Sequence, residues 1–75
     1  MVTVNTVFFM KIHLNGEEKQ VSEGVTLAGL LDVLQIRPGR VVVELNREIV
    51  AREAYGSTFL SESDRVEIVH FVGGG

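Results

Sequence analysis

Seventy-five residues set an upper bound of one domain with a small core, too little chain for a deep catalytic cleft. A hydrophobic fraction of 45% with 23% charged residues excludes a disordered chain, and a net charge of -3 argues against a nucleic-acid partner, whose phosphates require clustered Lys and Arg. There is no cysteine, so neither a disulfide framework nor a thiolate metal site is available. The arginines Arg37, Arg40, Arg47, Arg52 and Arg65 are scattered in the sequence and read first as solvated charges. No apolar run reaches the length of a bilayer span, and the first nine residues lack the basic start and cleavage site of a secretory signal, so a cytoplasmic protein with no membrane partner is expected.

Residues 1–9 read as an N-terminal extension or the early residues of a strand, because Met10 opens a more regular pattern than Met1 does. From Met10 to Leu14 apolar and polar residues alternate, the period of a strand with one face buried, and Phe8 continues the buried parity backwards. Asn15-Gly16 supplies the positive φ angles of a tight hairpin, and Lys19 to Val21 returns as an antiparallel partner. Thr26 is placed to cap a helix from Leu27 to Gln35, along which Leu27, Leu30, Leu31 and Leu34 form one stripe. Gly29 lies nearly opposite that stripe at a cost of about 1 kcal/mol relative to Ala, with no packing reason visible in the sequence. Pro38-Gly39 is expected to end the helix.

Val41 to Leu45 is a β-branched strand with Val41, Val43 and Leu45 on one side and Val42 and Glu44 on the other. Asn46-Arg47 turns the chain into a short return, Glu48 to Val50. Ala51 to Phe59 has no clean period and reads as a loop with a short turn of helix, anchored on the core by Tyr55 and Phe59. Ser61 to Asp64 launches a final strand, Arg65 to Val72, which leads directly into Gly73, Gly74 and Gly75. One helix crossing such a sheet must lie on one face, and a right-handed crossover after an opening hairpin puts the first strand in the middle, with the last strand parallel beside it. The expected fold is therefore α+β, a β-grasp of four to five strands spanning residues 10–72. With Val66 and Ile68 toward the helix, Val69 and Phe71 face the other way, beside Val42 of the third strand and Lys11 and His13 of the first. Val42, Val69 and Phe71 then make an apolar docking patch on the open face.

Glycine has no Cβ, so residues 73–75 form a flexible tail able to lie extended in a channel too narrow for side chains. Such a run alone also fits a frayed terminus. His13 and His70 have no Asp, Glu or Cys at ligand spacing, so no metal site is expected, and no nucleophile, base and oxyanion donor are grouped in the sequence.

From Met10 to Gly75 the chain resembles the thiamine-biosynthesis sulfur-carrier family, the ThiS-like β-grasp proteins. The resemblance rests on Leu14-Asn15-Gly16-Glu17, on Val25-Thr26-Leu27-Ala28 with Leu30-Leu31, on Val43-Glu44-Leu45-Asn46, and on Asp64 to His70 ahead of Gly73-Gly74-Gly75. Gly29, Arg47 and Ser63 depart from the family pattern. The resemblance implies a protein that is consumed and regenerated, not an enzyme. A ThiF-like adenylyltransferase uses ATP to activate the Gly75 carboxylate, with Gly73 and Gly74 threading its active site. Sulfur from a persulfide donor such as a cysteine desulfurase then makes a thiocarboxylate, and a ThiG-like thiazole synthase takes that sulfur. No cofactor is bound by the carrier, and nothing in the chain resembles a glycine-rich phosphate loop with its Lys. Two alternatives stay open at this point: the small sulfur-carrier subunit of molybdopterin synthase, and a β-grasp modifier or interaction module.

Overall fold

The computed structural model describes residues 8–71. Strand β1 (Phe9–Leu14) turns into β2 (Glu17–Ser22), followed by helix α1 (Leu27–Val33) and a 3-10 turn at Pro38–Arg40. Strands β3 (Val41–Leu45) and β4 (Glu48–Ile49), a 3-10 stretch at Arg52–Ser57 and strand β5 (Arg65–His70) complete the order. The sheet runs β2-β1-β5-β3-β4, with β1 and β5 parallel at its centre and the other pairs antiparallel. This is the expected β-grasp.

Both tight hairpins close on two residues in the left-handed region, Asn15 (φ 50) with Gly16 (φ 83) and Asn46 (φ 52) with Arg47 (φ 73). Such turns match the right-handed twist of the strands they join. Arg47 holds this conformation with a Cβ, at a cost of roughly 1 kcal/mol. Asn46 offsets part of it, since its Oδ1 accepts from Arg65 N at 2.9 Å and its Nδ2 donates to Asp64 Oδ1 at 3.0 Å. The β1–β2 ladder is longer than expected, running in register from Phe9↔Ser22 to Leu14↔Glu17.

Thr26 caps α1 as expected, its Oγ1 accepting from Gly29 N at 3.1 Å. The helix stops before Gln35, and Pro38 is not the cause. Gln35 takes φ 59, its N–H bonds Asp32 O at 3.0 Å, and Ile36 N–H bonds Leu31 O at 2.9 Å. That pair of bonds is a Schellman termination, which satisfies the last carbonyls without proline. Gly29 has the packing reason that the sequence did not disclose: a Cβ there would lie 3.0 Å from Val25 Cγ2.

The core lies between α1 and one face of the sheet. Leu27, Leu30 and Leu31 pack on Met10 and Ile12 of β1, Val21 of β2, Val41 and Val43 of β3, and Val66 and Ile68 of β5. Tyr55 and Leu60 close the side. Phe59 does not anchor there and is 64% exposed. The bonds Leu27 N to Thr58 O and Leu60 N to Val25 O flank a Thr26↔Phe59 bridge, so the two-residue alternation turns Leu60 inward and Phe59 out. Phe8 is likewise exposed; it sits one residue before β1, its carbonyl bonded to Glu23 N, beyond the reach of the core residues.

Candidate functional site

Strand β5 is held on both sides before the chain leaves the sheet. Toward β3 the ladder runs from Leu45↔Val66 to Val41↔His70 and continues one step further, with Phe71 N donating to Arg40 O at 3.0 Å. Toward β1 the register is short, His13↔Arg65 and Leu14↔Val66. Asn15 takes over where β1 ends: its backbone N–H bonds Val66 O, its Oδ1 accepts from Ile68 N at 2.8 Å, and its Nδ2 donates to Ile68 O at 3.4 Å. The hairpin asparagine thus serves as a side-chain extension of β1. It fixes the strand that presents the chain's last residues.

Alternation along β5 buries Val66 and Ile68 and turns Val69 and Phe71 to the uncovered face, where they are 54% and 61% exposed. Val42 is the direct cross-strand partner of Val69. The structure therefore brings Val42, Val69 and Phe71 together as expected. Ile49, 73% exposed, extends the patch and was not foreseen. Its signal was available, because a two-residue turn at Asn46-Arg47 pairs Ile49 with Glu44 and so puts it on the face of Val42. Val42, Ile49 and Phe71 share a depression of about 260 Å³ with Pro38, Arg52 and Tyr55.

Lys11 and His13 are not beside this patch. The parallel register sets His13 against Arg65, at the opposite end of β5 from Val69 and Phe71. That end of the open face is charged: Lys11 Nζ lies 3.6 Å from Glu18 Oε2, and Glu44, Arg47, Arg65 and Glu67 surround a shallow recess of about 130 Å³. Ile49, Val69 and Phe71 thus place apolar surface where the chain departs, and Phe8, Phe9, Val33 and Phe59 are exposed outside this patch. On the other side of the departure point, Arg37, Arg40 and His70 line a second depression of about 360 Å³ with Gln35 and Ile36. His70 joins residues 35–40 here only through the pairing of β5 with β3.

Gly73, Gly74 and Gly75, the expected reacting segment, lie outside the described residues, as does Val72. Among the described residues no three His, Asp or Glu side chains are grouped to hold a metal ion. No helix of the described residues is long and apolar enough to cross a membrane. The arrangement is that of a small platform whose distinctive surface surrounds one strand end.

Comparison with known proteins agrees with the fold. The ThiS family model matches residues 2–75. The sulfur carrier protein ThiS of Bacillus subtilis is 42% identical over 65 residues, covering 85% of this chain and 98% of that protein. A thiazole synthase of Magnetococcus marinus is 52% identical over 66 residues, which is 88% of this chain. The chain spans only 20% of the length of that synthase, and the same share of a second one from Paramagnetospirillum magneticum. Among solved structures, the thiamine biosynthesis protein ThiS of Geobacter metallireducens superposes with a TM-score of 0.77 at 36% identity, covering 88% of this chain and all of the other.

Proposed function

The chain belongs to the ThiS family, and we propose on that premise that it is a sulfur carrier for thiazole formation in thiamine biosynthesis, with Gly75 as the carrying residue. The observation that supports this reading is the bonding of β5. The ladder holds the backbone as far as Phe71, four residues from Gly75, and Ile49, Val69 and Phe71 lie exposed on the open face beside that point. A platform of this kind presents a short glycine run to another protein. Three consecutive residues without Cβ pass a channel that any side chain would block.

The chemistry follows from what a carboxylate lacks. Its oxygen is a poor leaving group until it is phosphorylated, so a Gly75 carboxylate oxygen attacks the α-phosphorus of ATP, pyrophosphate leaves, and an acyl-adenylate forms. The sequence has no phosphate-binding loop, and a ThiF-like adenylyltransferase supplies the nucleotide site. The terminal sulfur of a persulfide, from a donor such as a cysteine desulfurase, then attacks the carbonyl carbon and expels AMP. Cleavage of the resulting S–S bond by a thiol leaves the thiocarboxylate. A ThiG-like thiazole synthase takes the sulfur in exchange for an oxygen, from the acceptor carbon or from water, and Gly75 returns to its carboxylate. The carrier is a co-substrate throughout, and the ATP that its partner consumes fits a cytoplasmic cycle.

Within this scheme Val42, Ile49, Val69 and Phe71 dock the carrier, and Gly73 and Gly74 thread the partner. Deleting Gly75 tests the reading, since the change leaves every described contact in place. The truncated chain should show unchanged thermal unfolding and no thiazole formation in a reconstituted pathway. Thiazole formed at the wild-type rate would refute it.

A further inference from the structure

The chain carries ten acidic residues against seven Lys and Arg, yet its surface charge is not evenly spread. No Asp or Glu lines either depression flanking the departure of β5, whereas Arg52 lines one and Arg37, Arg40 and His70 line the other. The 3-10 turn between them positions these groups. Arg40 N bonds Arg37 O at 3.0 Å, which closes the turn, and Arg40 O receives Phe71 N, which fixes Arg40 beside the strand end. Arg52 folds over the same turn, its Nη1 lying 2.9 Å from where a Cβ on Gly39 would stand. Among the described residues the one ion pair is Lys11–Glu18, so none of the three guanidinium groups has a carboxylate within salt-bridge distance. In a chain with a surplus of carboxylates, three neighbouring arginines with no counter-ion among the described residues form a cationic collar around the exit point.

Reach decides what that collar meets. The four residues after Phe71 extend at most about 14 Å. If Gly75 is to lie inside another protein's active site, the carrier surface around Phe71 must abut the mouth of the channel. We propose that Arg37, Arg40 and Arg52 dock on an acidic rim around the channel mouth of the enzyme that activates Gly75, an inference that rests on the sulfur-carrier reading above. The collar orients the carrier and raises the encounter rate, while the Val42–Val69–Phe71 patch supplies apolar contact. Charge of this kind acts on association and is screened by salt. It leaves the chemistry of the bound tail untouched.

The test measures pyrophosphate release by a purified ThiF-like adenylyltransferase as a function of carrier concentration. Arg37→Glu/Arg40→Glu should raise KM for the carrier by about tenfold or more at low salt, with kcat within about twofold of wild type. Added salt should raise the wild-type KM and narrow the difference. Arg37→Gln/Arg40→Gln, which removes charge without reversing it, should fall between the two; both positions are exposed, so thermal unfolding is expected to be unchanged. Arg40→Glu and Arg47→Glu alter net charge equally, but Arg47 sits by the far recess and its variant should keep the wild-type KM. An unchanged KM in both double variants, or equal effects at Arg40 and Arg47, would overturn the collar alone. No pyrophosphate release with the wild-type chain would overturn the sulfur-carrier reading and the collar together.

Discussion

Phe71→Asp separates docking from folding. Phe71 is 61% exposed, so about two-fifths of the side chain is covered. Full burial of a phenylalanine contributes about 1.5–3 kcal/mol, so the covered share is worth about 1 kcal/mol to the fold. Its backbone bond to Arg40 O does not depend on the side chain and should persist. At an interface the accounting differs. A fully covered aromatic anchor is worth about 2 kcal/mol or more, and a carboxylate in its place adds a desolvation cost. Affinity for the adenylyltransferase should therefore fall by about 30-fold or more. Urea unfolding measures the first quantity, and titration calorimetry with the partner the second. An affinity within about twofold of wild type would remove Phe71 from the interface, and a stability loss well above 2 kcal/mol would show that the residue is structural instead.

Asn15→Gly keeps a residue suited to φ 50 but removes both side-chain bonds to Ile68. It should cost about 1 kcal/mol and speed amide exchange at Ile68, and unchanged exchange there would contradict the clamp. Gly29→Ala sets a helix-propensity gain of about 1 kcal/mol against a Cβ 3.0 Å from Val25 Cγ2. The two should nearly cancel in a thermal melt, whereas the full gain would show that Val25 yields freely.

Much of the fold was legible because local signals agreed with one another. Asn-Gly between alternating strands fixed the first hairpin, and the leucine stripe fixed the buried face of α1. Sheet order followed from crossover handedness, a constraint that needs no side-chain detail. Features that depend on contacts between distant segments were hidden. Phe59 is turned outward by a bridge to Thr26, which cannot be read from a segment with no period of its own. The helix stops before Gln35, a left-handed residue that is not glycine, while the proline three positions later offered a more obvious stop. The offset of Lys11 and His13 from the patch is a matter of parallel register, set by the Ser61–Asp64 turn, in which Ser63 N bonds Lys11 O and Asp64 accepts from Ser61 N.

The site divides in the same way. Val42, Val69 and Phe71 could be placed by parity, and Ile49 could have been. The arginine collar could not, because Arg37, Arg40 and Arg52 meet only through the turn at Pro38–Arg40. The residues alone also left a molybdopterin-type carrier open; the ThiS family match and the Bacillus and Geobacter relatives favour the thiamine assignment.

Whether Gly75 carries sulfur is read from the intact mass of the protein after incubation with ATP, a ThiF-like adenylyltransferase and a persulfide donor. The mass should rise by the difference between one sulfur and one oxygen, mapped by fragmentation to Gly75 and absent when ATP is withheld. An unchanged mass in the presence of a partner shown to be active on another ThiS protein would contradict the sulfur-carrier reading.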